Sequence, residues 1–471
     1  MGLLRLFVHD DQRLASIDLA RVHMVGFDDL PWFGHVFVSD NQLIIERAQS
    51  DSGSVCVPYE VADRGELLLA TSTLMERDEP YFLEVELARG VVNRLRNQMA
   101  AWQHLGLVVN DELKSRVAAA TAAFVRAASR QHDPPGAASS ADQAIQLGTA
   151  AAEQLAGDYA EQALALRLRQ SGKLNTLWGV DLSAELPDEA MRQPIVETFN
   201  LVAIPMAWRT VEASEGQHNW TSSDEQFQWA RNNDLKIVGG PLLDFDERRV
   251  PDWTYLWEGD YDSLASFMLD HVQNAVKRYR GKVNLWHVAA RMNRAGVLAL
   301  NDEERLQVVA TAVRTVKDLD PRTPVLVSFD QPWAEYMAGQ QVELAPIHFA
   351  DALVRADLGL AGIGLELNVG AEPRATAPRM PIDLSRLVDG WGLFELPLFV
   401  ILTADTRTSE REGWVEHHLP ALLAKNCVQV VLWNQLSDSQ AEFEGAGLFD
   451  EAGNPKPALN ALKQLRQQYL T

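Results

Sequence analysis

The chain has 471 residues, 47% of them hydrophobic and 23% charged, and a formal charge of −23. That length predicts one large barrel plus a smaller domain, with the composition of a soluble globular protein. The negative charge, uncompensated by any basic tract, argues against a polyanionic partner such as nucleic acid.

Residues 1–88 read as β-rich. Met1 to Asp10 meets charge early and has no cleavable apolar core, and no apolar run reaches about 18 residues. No signal peptide and no membrane span are therefore expected, and a cytoplasmic location is the default. Short β-prone runs at 3–8, 22–27, 35–38, 43–46, 54–57, 67–71 and 81–87 are divided by Asp, Gly, Ser and Asn. That spacing predicts a small sandwich. Trp32, Phe33 and Tyr59 are candidates for a sugar-stacking face of the carbohydrate-binding-module kind, against the commoner fate of core and interface packing. Cys56 and Cys427, far apart and each in an apolar run, predict buried free thiols.

From Gly90 the period becomes helical. Residues 91–105 and 111–130 predict two helices, with Asp111 placed to cap the second. Residues 132–140, rich in Pro, Gly, Ala and Ser, read as a linker, and 141–170 as a long Ala- and Leu-rich bracing helix. A helical connector is thus expected over 89–171.

From residue 172 to 471 strand and helix alternate. Apolar strand runs fall at 174–180, 199–205, 235–243, 283–289, 324–329, 362–367, 397–403 and 428–432, with helical patterns after them. Eight such units predict a closed (β/α)8 TIM barrel whose chemistry lies at the C-terminal ends of the strands. Those ends carry Asp181, Asp244, His287, Arg291, Ser328, Asp330, Glu366, Asn368, Asp405, Asn434 and Asp438, more polar groups than folding alone requires. There is no P-loop, dinucleotide fingerprint, paired C-x-x-C, H-E-x-x-H or G-x-S-x-G, so neither a cofactor nor a metal is expected.

Several strings then carry a resemblance. They are Trp208-x3-Glu212-x3-Gly216 with Trp220 and Asp224, and Gly239-Gly240-Pro241-Leu242 with Pro251-Asp252-Trp253. Next come Tyr279-Arg280-Gly281-Lys282-Val283 with Trp286, then Asp320-Pro321 and Gly362-Ile363-Gly364-Leu365. Gly447-Leu448-Phe449-Asp450 with Pro455-Lys456-Pro457-Ala458 closes the series. In this order they resemble glycoside hydrolase family 10, the endo-β-1,4-xylanases, over residues 174–468 and not over 1–170. The resemblance implies a partner that is an oligosaccharide or polysaccharide of the β-1,4-linked, xylan-like kind. It also implies cleavage with retention by two glutamates about 5–5.5 Å apart, one acid/base and one nucleophile.

At the decisive positions the chain departs from the family. Where the fourth strand would end W-D-V-V-N-E it reads Trp286-His287-Val288-Ala289-Ala290-Arg291, so Arg291 takes the acid/base place. The nucleophile position falls on Leu402, or on Ala404 if the threonine is matched. Guanidinium does not release its proton near neutral pH, so the family's own chemistry is not expected here. A relocated carboxylate pair, Glu366 with Asp330 or Asp405 and oriented by Arg291, is the sharpest catalytic alternative. An ion pair of Arg291 with Glu366 or Asp330, filling the emptied site, competes with it. His287, Asp244, Asn368, Trp333, Trp433 and Asn434 are the further candidates for binding a sugar, and Trp208, Trp253 and Trp257 are candidates to extend an aromatic platform. The expected partners therefore include neither nucleic acid nor membrane, and the competing function is a non-catalytic scaffold in which barrel and N-terminal domain bind a protein.

Overall fold

The structure is a computed structural model that describes residues 2–294, 296–342, 344–370, 375–405, 414–439 and 442–471. Its N-terminal unit contains β1 (Gly2–Phe7), α1 (Asp11–Ser16), β2 (His23–Val25), β3 (Pro31–Trp32), β4 (Gly34–Ser39), β5 (Gln42–Arg47), β6 (Ser54–Val61), β7 (Gly65–Ala70) and β8 (Tyr81–Phe82). These strands form two four-stranded sheets, ordered β4-β5-β1-β8 and β3-β2-β6-β7. Alternate residues of β1 turn inward, so Leu4 and Leu6 join Leu43, Ile45, Val55 and Val57 in one core.

The helices differ from expectation in three places. Residues 83–87, anticipated as strand, begin α2 (Leu83–His104), so only Tyr81–Phe82 is extended. The second helix, α3 (Asp111–Ser129), is capped by Asn110 rather than Asp111: Leu113 N donates to Asn110 Oδ1 at 2.8 Å. Residues 134–140, anticipated as linker, form the first turns of α4 (Pro134–Ser171), 38 residues long. Two prolines open it, where their missing N–H groups cost nothing, and the Asp133 side chain caps Gly136 N. Along its length α4 places Leu155 and Ala156 in the N-terminal core and Ala160 and Leu164 in the barrel core.

The barrel strands are β9 (Leu177–Asp181), β10 (Leu201–Ile204), β11 (Lys236–Gly239), β12 (Leu243–Asp244), β13 (Leu285–Ala290), β14 (Val325–Asp330), β15 (Gly362–Val369), β16 (Leu398–Ala404) and β17 (Val428–Trp433). All pair in parallel, and β17 pairs with β9 to close the sheet. The third stave is split into β11 and β12 at Gly240-Pro241, a cis peptide bond. Gly240 has φ +116, and a Cβ there would lie 2.2 Å from His287 O, so only glycine fits against the fourth stave. The fold is a (β/α)8 TIM barrel with a β-rich N-terminal domain.

The two units touch where the segment after β15 reaches the N-terminal domain. Leu68 N donates to Pro378 O at 2.8 Å, and Met380 and Ile382 belong to the N-terminal core. Cys56 is buried and Cys427 half-buried, and both are free thiols. Among the described residues no helix is long and apolar enough to cross a membrane.

Candidate functional site

At the C-terminal ends of the strands a cavity of about 500 Å³ opens, walled in part by Asp181, Asp244, His287, Arg291, Glu366 and Glu442. Its floor is built from short strands that end at nearly the same level, which brings side chains distant in sequence into one layer. Arg291 follows the last residue of β13 and takes φ +62, a left-handed conformation that costs a non-glycine residue about 1–2 kcal/mol. Its N–H is held by Ser328 O at 3.2 Å, and the turn delivers the guanidinium across the mouth.

A continuous chain of hydrogen bonds results. Arg291 Nη1 donates to Asp244 Oδ2 at 2.7 Å and Nε donates to Glu366 Oε2 at 2.8 Å. Ser328 Oγ donates to Glu366 Oε1 at 2.5 Å, and His287 Nε2 meets Ser328 Oγ at 2.8 Å. Glu442 Oε1 stands 3.7 Å from Arg291 Nη2 and also pairs with Arg248 and Arg249. The Arg291, Asp244 and Glu366 side chains are only 6%, 6% and 2% exposed, so this is a desolvated charge network and not a surface contact.

Burial sets the protonation states. It opposes the charge on Arg291, but Asp244, Glu366, Glu442 and Asp330 outweigh it and hold the guanidinium firmly protonated. Burial pushes the Asp244 carboxyl up despite Arg291 and Arg249. It pushes the Asp181 carboxyl, at the end of β9, up to about 7, with the Ser183 N–H bond at 2.6 Å pulling the other way. His287 is driven down to about 4 by burial and is neutral, so its ring bond to Ser328 Oγ joins two uncharged groups.

The candidates from sequence divide into two groups. Asp244, His287, Arg291, Glu366 and Asn434 line the cavity. Arg291 pairs with Glu366 and Asp244; Asp330 lies apart in a second buried cluster, where it accepts from Asn368 Nδ2 at 3.2 Å and meets Arg294 Nε at 3.8 Å. Asp405 is buried just beyond β16, its N–H on Val369 O at 3.3 Å. Trp433 is buried in the barrel core, with Nε1 donating to Ala446 O at 3.0 Å, and Trp333 lies under Arg379 beside the N-terminal domain. Trp208 is buried against Trp253, and Tyr59 is buried with its hydroxyl on Asp142, so neither ring is offered to a ligand. Glu442 and Arg249 were missed because they come from loops with no periodicity, and Asp181 was visible only as one polar strand end among many.

The strings that carry the resemblance are mostly joints of the scaffold. Glu212 accepts from Trp208 Nε1 and from Gly216 N, both at 2.7 Å, and so closes the loop after β10. Trp286 Nε1 donates to Asp320 Oδ2 at 3.0 Å, tying β13 to the approach of β14. Asp438 accepts from Gly447 N at 2.7 Å and from Lys456 Nζ at 3.0 Å, pinning the closing loop.

The family model for glycosyl hydrolase family 10 matches residues 169–301, which span β9 to β13. Endo-1,4-beta-xylanase 3 of Hypocrea jecorina is 25% identical over 274 residues, 56% of this chain and 73% of that protein. Endo-1,4-beta-xylanase 5 of Arabidopsis thaliana is 28% identical over 105 residues, 22% of this chain and 18% of that protein. Native xylanase 10B from Thermotoga maritima shares the fold, with a TM-score of 0.50 at 17% identity over 64% of this chain and 97% of that one. The C-terminal unit is a (β/α)8 barrel that is similar to glycosyl hydrolase family 10 proteins over the residues matched.

Proposed function

We propose that the barrel binds β-1,4-linked, xylan-like oligosaccharides and does so without the retaining two-glutamate mechanism. The family resemblance and the relatives' description as endo-1,4-beta-xylanases support the ligand class. The observation that carries the second half is Arg291, which bridges Asp244 and Glu366 at the end of the fourth stave. A retaining site needs one protonated carboxyl to assist the leaving group and one ionised carboxylate free to attack. Arg291 can do neither, and Leu402 and Ala404 on β16 are buried and apolar. For a bound sugar the cavity offers acceptors instead: Asp244 Oδ1 is buried and without a hydrogen-bond partner, and Asp181 faces the same space.

The test is incubation with xylo-, cello- and manno-oligosaccharides, with binding followed by calorimetry and cleavage by chromatography. Binding of xylo-oligosaccharides without cleavage is expected. Cleavage abolished by Glu366→Gln and untouched by Arg291→Ala would instead establish a relocated carboxylate, with Asp330 or Asp405 as partner. No binding across the panel would overturn the carbohydrate reading.

A further inference from the structure

A second cavity, of about 220 Å³, lies between the N-terminal domain and the barrel and is lined in part by His23, Cys56, Arg94, Arg379 and Asp383. His23 and Cys56 face each other directly across the antiparallel pair β2 and β6. Sheet geometry puts such opposed residues on one face with their side chains in contact. The His23 Nδ1 atom meets Arg21 O at 2.9 Å, which fixes it as the N–H nitrogen and leaves Nε2 as the basic one. Nε2 is buried and has no hydrogen-bond partner, with Cys56 directly opposite it in the cross-strand register. Two cations close the other side: Arg94 from α2 and Arg379 from the segment after β15, the latter paired with Glu335 at 2.6 Å.

We propose that Cys56 is an activated thiol, modified through this cavity by hydrogen peroxide and other compact electrophiles, with His23 as its proton acceptor. Burial alone would push the Cys56 thiol up, but the His23 imidazole and the Arg379 and Arg94 guanidinium groups outweigh it and hold the thiol below its ordinary value. With peroxide, the thiolate sulfur attacks one oxygen, the O–O bond breaks and a sulfenic acid forms. Sulfur is oxidised and peroxide reduced; the departing hydroxide takes the proton from the His23 imidazolium and leaves as water. The site is independent of the barrel mouth and does not rest on the glycan reading.

The chain supplies its own control. Cys427, the second of its 2 cysteines, is half-buried, and burial together with Asp389 pushes its thiol up. The full-length protein is exposed to hydrogen peroxide at a series of pH values, trapped with dimedone and analysed by peptide mass spectrometry. At pH about 6.5 Cys56 is expected to be trapped at least about tenfold faster than Cys427 and to change little as the pH rises. His23→Gln should remove that advantage, and Arg379→Gln should reduce it. Cys56 untrapped or slower than Cys427 at every pH would overturn the proposal, as would an undiminished rate in a folded His23→Gln variant. If neither variant folds, the wild-type profile decides: a Cys56 rate climbing about tenfold per pH unit up to pH 8 is that of an ordinary thiol and overturns it.

Discussion

Arg291→Ala removes the cation that joins Asp244 and Glu366 across the barrel mouth. Both lose their cation while remaining buried, Asp244 at 6% and Glu366 at 2% side-chain exposure. Breaking a buried ion pair from one side costs about 3–5 kcal/mol, because the surviving charge keeps its desolvation penalty. Two carboxylates share this arginine, and Glu442 adds a third at 3.7 Å, so the upper end of that range is expected. Relief of the left-handed φ at residue 291 returns about 1 kcal/mol at most, since alanine disfavours that conformation as well. The assay is urea unfolding followed by tryptophan fluorescence, since Trp178, Trp286 and Trp433 all lie in the barrel core. The variant's midpoint should fall by on the order of 1 M. The pH dependence has a definite sign. Burial already raises the Asp244 carboxyl against the pull of Arg291, and without that arginine the folded form takes up its proton before the unfolded form does. The deficit is therefore largest near neutral pH and shrinks on acidification. Adding Asp244→Asn and Glu366→Gln to Arg291→Ala should recover most of the loss. An unfolding free energy within about 0.5 kcal/mol of wild type at pH 7, or a deficit that does not vary with pH, would refute the reasoning.

Asp181, raised from 3.8 to about 7, keeps its proton in the folded state over an interval in which the unfolded chain has lost it. Its contribution to stability therefore falls as pH rises through that interval, and Asp181→Asn should unfold at higher urea than wild type at pH 8 and match it near pH 4; a less stable variant at pH 8 would count against it. The rings of His287 and His271, both driven by burial from 6.5 to about 4, should stay neutral above pH 5 by NMR, and titration of either near pH 6.5 would contradict the burial described. Gly90→Ala should destabilise the N-terminal domain although alanine favours a helix by about 1 kcal/mol, because the added Cβ would lie 1.9 Å from Ala70 O; circular dichroism and limited proteolysis read the outcome.

The barrel was legible because its staves are short, apolar and set off by polar ends, a signal that survives without any knowledge of pairing. What escaped were segments whose pattern served a second purpose. Leu83-Glu84-Val85-Glu86-Leu87 alternates like a strand, yet it opens α2 because this first turn is buried all round, with Glu84 facing Arg13 at 3.6 Å. Asp133-Pro134-Pro135-Gly136 has the composition of a loop and the chemistry of a helix start, and the helix prevails. The third stave read as one run from 235 to 243, since nothing local shows that Gly240 must clear a carbonyl of the next strand. At the mouth the polar strand ends were all visible. Their partition was not: the left-handed turn at Arg291 selects Asp244 and Glu366 and leaves Asp330 with Asn368.

Helix α4 has a consequence for how the chain could be divided. At 1.5 Å per residue its 38 residues extend ~57 Å, and its side chains change allegiance midway, from the core that holds Leu155 to the core that holds Leu164. A cut at residue 171 would respect the sequence texture but strip Ala160 and Leu164 from the barrel. A cut before residue 155 would open the other core. A protease approaching the native protein thus meets continuous helix over residues 134–171 where the two units join, and heating should melt them in one cooperative step rather than in succession.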